Sequence, residues 1–391
     1  MAHKISISQF AGISSLVALP PTYRVDTLPG ATAQDVGTKV NNLGSVAINK
    51  NGVVAGTETL TAEYWWWSPL TKAVYGDPLP IPTSSQISMA FGINEAAHIV
   101  GAWSPRNTWP GTAFLFNGTL VDLGERLGTV VSVGADINDA GIVVGYRGDD
   151  GAPAFGACRA FTYNTTGGAP PKDLGVLSDG HAQSMAVAIN NSGQVVGVSR
   201  VNYYTDVHGF IHDGTMRDLG LVYSMNDIND VGQVVGARVE PDQFPDFRVA
   251  FRCDTSSGKA VFQSLGLPPG TGTIGSEAFG INNRGDIVGC AFGSVDALSG
   301  LPDDLVNWHA CITFHDSPSK THDLNNYVAK DSGWRLLTAY GINDMGQIVG
   351  QGTFQGALHA YLLTPLNYSK LPYRDESDPL RRLIGNHPYM P

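Results

Sequence analysis

Charge is scarce in this sequence: only 15% of its 391 residues are Asp, Glu, Lys or Arg, and acids outnumber bases 35 to 24, a formal net charge of −11. Binding to a phosphate backbone rests on clustered Lys and Arg that release counterions, so this balance argues against nucleic acid as the partner. Long apolar runs are missing as well. No stretch approaches the roughly 18 uninterrupted apolar residues of a membrane-spanning helix. The mildly apolar segment from Ile5 to Leu19 is interrupted by Ser6, Ser8, Gln9, Ser14 and Ser15 and lacks an Ala-x-Ala cleavage site, so it makes no convincing secretory signal. The four cysteines, Cys158, Cys253, Cys290 and Cys311, include no Cys-x-x-Cys pair, which removes the usual thiolate zinc site. They read as small buried hydrophobes, with a single Cys290 to Cys311 bridge as the alternative. Also absent are the Gly-x-Ser-x-Gly elbow, the phosphate-binding glycine loop and the His-Glu-x-x-His helix. No catalytic residue, metal ligand or cofactor is assigned.

Glycine and proline, by contrast, are abundant. The 47 glycines and 23 prolines fall between short runs rich in Val, Ile, Phe and Thr, the punctuation of an all-β chain, and 42% apolar residues suffice for a large core.

Self-similarity is the strongest signal. Ile-Asn-x-x-Gly begins at Ile48, Ile93, Ile137, Ile189, Ile228, Ile281 and Ile342, with Ala97 replacing Gly in the second copy. One further residue, an apolar pair and a Gly follow, as in Gln194-Val195-Val196-Gly197; the first copy carries Ala55 in place of the last Val. The spacing is that of a hairpin: Asn accepts backbone hydrogen bonds at the turn, and the Gly three places on takes the left-handed conformation. A left-handed Ala97 would cost on the order of 1 kcal/mol. Before each hairpin lies a strand of mostly small residues such as Ser88-Met89-Ala90-Phe91-Gly92, suited to a crowded axis. After it comes an aromatic strand such as His208-Gly209-Phe210, then an outer segment ending in Asp-Leu-Gly at Asp122, Asp173 and Asp218.

Four strands per copy, at spacings of 39 to 61 residues between successive Asn positions, predict a seven-bladed β-propeller; a β-solenoid would have shorter and more regular repeats. The last copy has no outer segment, whereas Tyr23 to Leu28 precedes the first and reads as an unattached outer strand. The expected organisation is an N-terminal arm (1–22), a propeller (23–364) closed by that strand, and a Pro-rich C-terminal arm (365–391).

These motifs resemble the HAF-repeat proteins, named for a His-Ala-Phe tripeptide in each repeat, over roughly residues 23 to 364. The tripeptide is degenerate here, with only His208, His309 and His359 at the His position. The resemblance implies a propeller-type repeat fold and an extracellular setting, and says little about activity.

The repeated His and Asp positions are expected to be structural, because a residue recurring at one strand position fills the same niche in each blade. Recognition is expected on the irregular loops between the second and third strands. They hold Trp103, Arg106 and Trp109 in blade 2, Tyr146 and Arg147 in blade 3, Arg200, Tyr203 and Tyr204 in blade 4, and Arg238 and Phe244 in blade 5. Aromatics mixed with Arg are the composition of binding surfaces. The expected role is a noncatalytic interaction or structural module, with loop face and arms joining other proteins or further copies in a cell-surface layer or virion-type particle. A propeller-type polysaccharide lyase or glycoside hydrolase, or a glycan-binding lectin, is the alternative.

Overall fold

The structure, a computed structural model, describes residues 23–28, 46–58, 61–68, 73–81, 87–104, 111–129, 131–148, 158–177, 180–201, 207–239, 248–255, 260–293 and 307–366. Both arms, but for Pro365 and Leu366, lie outside the described residues, as do Arg106, Trp109, Tyr203, Tyr204 and Phe244.

The chain forms seven four-stranded antiparallel sheets arranged as a β-propeller. Blade 4 shows the pattern: Gln183–Ile189 is innermost, followed outward by Val195–Arg200, Val207–His212 and Met216–Leu221. Blade 7 takes three strands from the C-terminal end, Trp334–Ile342, Ile348–Phe354 and Ala357–Pro365. Its fourth is Tyr23–Thr27, which pairs from Tyr23 opposite Pro365 to Thr27 opposite Tyr361. The expected closure by the N-terminal strand is therefore present. Leu28 completes the seam, packing with Val46 and Val54 of blade 1 and Val349 and Leu362 of blade 7.

The hairpin chemistry is as read from the sequence, with one addition. In blade 4 the Asn190 Oδ1 accepts from the Gln194 amide at 2.9 Å, and Gly193 sits at φ 80°. Ala97 adopts φ 58°, the strained left-handed conformation expected of it. The addition is on the other side of the carboxamide. Asn49 Nδ2 donates to the Asn94 carbonyl at 3.0 Å, Asn94 to Asn138 at 3.1 Å, and Asn138 to Asn190 at 3.1 Å. Asn190 and Asn229 continue at 3.0 Å each, Asn282 reaches Asn343 at 3.2 Å, and Asn343 returns to Asn49 at 3.0 Å. One residue type thus closes each hairpin and links it to the next, in an unbroken circle of seven buried side chains.

A second series of hydrogen bonds, open at one place, joins the hairpins. In blades 2 to 7 the residue after the Asn accepts the backbone N–H of its counterpart in the preceding blade, as in Glu95 Oε1 from Lys50 at 2.8 Å and Asp230 Oδ1 from Asn191 at 2.8 Å. Lys50 has no acceptor to offer, and its ammonium lies instead 3.7 Å from Glu95 and 3.8 Å from Asp139.

The core sits between the faces of neighbouring blades. Phe114, Phe161, Phe210, Phe251 and Tyr361 of the third strands are fully buried. The glycine after each apolar pair makes room for them: a Cβ on Gly197 would fall 2.1 Å from the Met185 carbonyl oxygen and 2.7 Å from the Phe210 ring.

Candidate functional site: the axial cavity

Each inner strand of blades 2 to 7 contains a β-bulge just before its Ile-Asn. The residue left out of the ladder is Phe91, Ala135, Val187, Asn226, Phe279 and Tyr340 in turn. A bulge re-aims the unpaired side chain, and all six residues line one cavity on the propeller axis, with Val46 contributing from blade 1. The cavity holds about 500 Å³, within the range of roughly 300–1,000 Å³ typical of ligand sites. It is lined by the later residues of the inner strands, such as Phe91 and Ile93 of Ile87–Ile93 and Tyr340 to Ile342 of Trp334–Ile342. A smaller cavity of about 230 Å³ occupies the axis on the hairpin side, bordered by the Ile-Asn residues and the residues that follow them. Ile48, Ile93, Asp136 and Ile342 border both.

Two carboxyls enter the larger cavity. The residue after the bulge is Gly or Ala in four of the six blades, Gly92, Ala188, Gly280 and Gly341, but Asp136 in blade 3 and Asp227 in blade 5. Asp136 accepts from the Ile137 amide at 2.8 Å and, across the blade boundary, from Ile189 at 2.9 Å. Asp227 does the same with Ile228 at 2.8 Å and Ile281 at 2.9 Å. Their remaining surface faces the cavity rather than bulk water. Burial pushes the Asp136 carboxyl up to about 7, with the charge of Asp227 adding to the push and the backbone hydrogen bonds opposing it. Burial likewise raises Asp227 to about 6, and Asp230 of its own hairpin adds to this. No Lys, Arg or His stands among the described residues that line the cavity.

Aromatic side chains stand between and beside the two carboxyls around the cavity. The Phe279 and Tyr340 rings lie 5.2 Å apart at 44°, with Phe91 and Tyr146 bordering the same space. Burial holds the Tyr340 phenol up to about 12, so it stays neutral. Asn226 is fixed by donating to the Ala278 carbonyl at 2.7 Å and Glu277 Oε1 at 3.1 Å. Glu277 also takes the Ser224 hydroxyl at 2.7 Å and pairs with Arg248 at 3.1 Å.

The carboxyls carry a pH signature. Both hold protons in the native state at pH values where the unfolded chain, with aspartate near roughly 3.9, has released them. Stability therefore falls as pH rises from about 4 towards 7 and levels off above. The groups facing them leave this sign intact: Tyr340 stays neutral across the window, and Asp230 is a like charge. The thermal midpoint is expected to drop between pH 4.5 and 7.5. In Asp136→Asn/Asp227→Asn that drop should shrink, as differential scanning calorimetry would register; an unchanged slope would remove these two groups from the account.

Of the residues the sequence assigned to loops, those described, Trp103, Tyr146, Arg147, Arg200 and Arg238, lie instead within second strands, because the ladder runs further than the repeat motif indicates; of these, Tyr146 alone borders the cavity. Trp103 packs against the core between blades 1 and 2. Arg147 binds Asp173 at 2.9 Å and the Leu127 carbonyl. Arg238 lies over the Phe262 ring at 4.9 Å, and Arg200 is half-buried at the end of its strand. Phe91, Phe279, Tyr340, Asp136 and Asp227 were not singled out, although large or acidic residues in an otherwise small-residue strand are a legible signal. Two of the three repeated His find a carboxylate: His208 meets Asp218 at 2.9 Å and His309 meets Asp323 at 2.8 Å, joining third strand to fourth within a blade. Asp122 and Asp218 also accept the amides of Gly124 and Gly220 at 2.7 Å each. All four cysteines are buried free thiols, so no Cys290 to Cys311 bridge is present, and burial raises each thiol.

No protein-family model matches the chain. No curated protein matches it either. Solved structures do resemble it. The β-propeller domain of the Trilobed protease from Pyrococcus furiosus is 15% identical, over 58% of this chain and 69% of that one, at a TM-score of 0.39. A gluconolactonase from Xanthomonas campestris is 10% identical, over 84% of this chain and all of that one, also at 0.39. An ancestral GH74 enzyme is 10% identical, over 83% of this chain and 56% of that one, again at 0.39. Likeness at this level concerns the fold alone. Among the described residues no helix is long and apolar enough to cross a membrane.

Proposed function

We propose that this protein is a noncatalytic interaction module whose specific binding site is the larger axial cavity. One observation carries the reading. Positions that build the ring are the same from blade to blade: Ile and Asn recur in all seven hairpins. The bulged position just before them shares a backbone geometry but not a side chain, running through Phe91, Ala135, Val187, Asn226, Phe279 and Tyr340. A layer the ring does not need to be uniform is free to be shaped by a ligand. The same non-repetition speaks against a lectin with one sugar site per blade. The connections between second and third strands and the two arms would make the wider contacts with protein partners or further copies in an extracellular assembly, in keeping with the HAF-repeat resemblance.

A second reading, an acid/base enzyme acting on a glycan, draws on Asp136 and Asp227, two carboxyls with raised and separated ionisation. Against it, each spans two backbone amides, a fixed structural duty.

A thermal-shift screen of amines, peptides and oligosaccharides separates the possibilities. Ligands that stabilise the wild type are expected to lose affinity at least about tenfold in Phe91→Ala/Phe279→Ala and to keep it in Arg200→Ala at the rim. The reverse order would move recognition to the rim, and turnover of any oligosaccharide would overturn the noncatalytic reading.

A further inference from the structure

We propose that the axial cavity takes an organic ammonium group, held between Asp136 and Asp227 and walled by Phe91, Tyr146, Phe279 and Tyr340. The inference rests on the cavity being the binding site and adds the chemistry of what enters. Both carboxyls face one space, and no cationic side chain stands among the described residues lining it. Each uses two of its roughly four acceptor sites on backbone amides, which leaves lone pairs for a donor in the cavity. A neutral ligand would leave that charge uncompensated, whereas an alkylammonium supplies both N–H donors and the opposite charge. Aromatic faces attract the same ion through their quadrupoles. A metal ion is a poorer match, since among the described residues no three His, Cys, Asp or Glu side chains group closely enough to hold one.

The ion requires ionised carboxylates, so its affinity is tied to pH. The titratable groups around the pair are Tyr146 and Tyr340 on the cavity wall, Asp230 beside Asp227, and Glu277, which is engaged by Arg248, Ser224 and Asn226; on the hairpin side Asp136 also borders the smaller cavity with Glu95, Asp139, Asp344 and Lys50, whose ammonium lies against Glu95 and Asp139. None supplies a competing cation to the cavity. Binding should release a proton near neutral pH and strengthen as pH rises. The ammonium could belong to a free amine or to a lysine side chain of a partner's segment.

Isothermal titration of the full-length protein with n-butylammonium, tetramethylammonium, Nα-acetyl-lysinamide, a lysine-containing tripeptide and the neutral alcohol 1-pentanol tests this. The cations are expected to bind about tenfold more tightly at pH 8 than at pH 5, with proton uptake by the buffer, and 1-pentanol to show neither effect. Asp136→Asn/Asp227→Asn should abolish the pH dependence. Because those carboxyls also cap four amides, Phe91→Ala/Phe279→Ala serves as the second variant, expected to weaken tetramethylammonium at least about fivefold. Tighter binding of the tripeptide than of n-butylammonium assigns the ion to a protein segment, and the opposite order assigns it to a free amine. Equal, pH-independent binding of 1-pentanol and the cations would overturn the ammonium assignment while leaving the cavity a binding site. If none of these probes binds but an oligosaccharide does, and Phe279→Ala abolishes that, the assignment is equally overturned. No binding of any probe to a folded protein, with the ligands found by the thermal-shift screen insensitive to Phe279→Ala, would bring down the cavity reading as well.

Discussion

Deleting residues 1–28 is expected to abolish cooperative folding, not merely to shorten the molecule. The strand lost, Tyr23–Thr27, supplies the outer edge of blade 7, and Tyr23 and Leu28 are 4% and 0% exposed. Burial of a Tyr and a Leu side chain is worth about 2 kcal/mol each, and the ladder on Ala357–Pro365 goes with them. Leu28 moreover fills the seam between blades 7 and 1, so its loss uncovers Val46, Val54 and Leu362. The sum, on the order of 5 kcal/mol, matches the low end of the total stability of a typical domain, about 5–15 kcal/mol. Urea unfolding followed by tryptophan fluorescence should show a broad or missing transition. A sharp transition at the wild-type midpoint would mean that the seam closes without this strand.

The second large effect is expected from one atom in the asparagine circle. Asn229 donates through Nδ2 to the Asn282 carbonyl at 3.0 Å and to Gln233 Oε1 at 2.9 Å, and accepts the Gln233 amide at 2.9 Å. Asn229→Asp keeps the shape and the acceptor but turns the donor into a second oxygen facing two acceptors. Each buried group stripped of its partner costs about 1–3 kcal/mol, so a loss of roughly 4 kcal/mol is expected. The buried carboxylate adds to the loss when ionised, so the variant should be worse at pH 8 than at pH 5. Urea midpoints at the two pH values would show it. A loss below about 1 kcal/mol would reduce the circle to a by-product of the hairpins.

The sequence displays the ring far better than the site. Blade number follows from counting Ile-Asn-x-x-Gly because turn geometry is local: Asn190 and Gly193 act within four residues of each other. The closing strand is legible for a similar reason, since Tyr23 to Leu28 has no neighbour of its own and the last repeat lacks an outer strand. The circle of Nδ2 hydrogen bonds is not legible, because its partners, such as Asn343 and Asn49, are 294 positions apart and meet only once the ring exists. The bulges escape for another reason. A strand read with period two places Phe91 and Gly92 on opposite faces, and only the slip of register at that point brings the bulged side chain to the axis. Loop composition drew attention to Arg147 and Arg238, whose polarity proves to be spent within their own blades, on Asp173 and Phe262.

Amide NMR on Ile137, Ile189, Ile228 and Ile281 tests the cavity most directly, because these four N–H groups donate to Asp136 and Asp227. In the free protein they are expected to titrate together, with midpoints of about 7 and about 6. On addition of n-butylammonium the midpoints should fall, and the largest shifts should be confined to these amides and those of Phe91, Phe279 and Tyr340. If the four isoleucines stay silent while the shifts gather at Arg200, Arg238 and the other rim residues, the axial cavity is not the binding site.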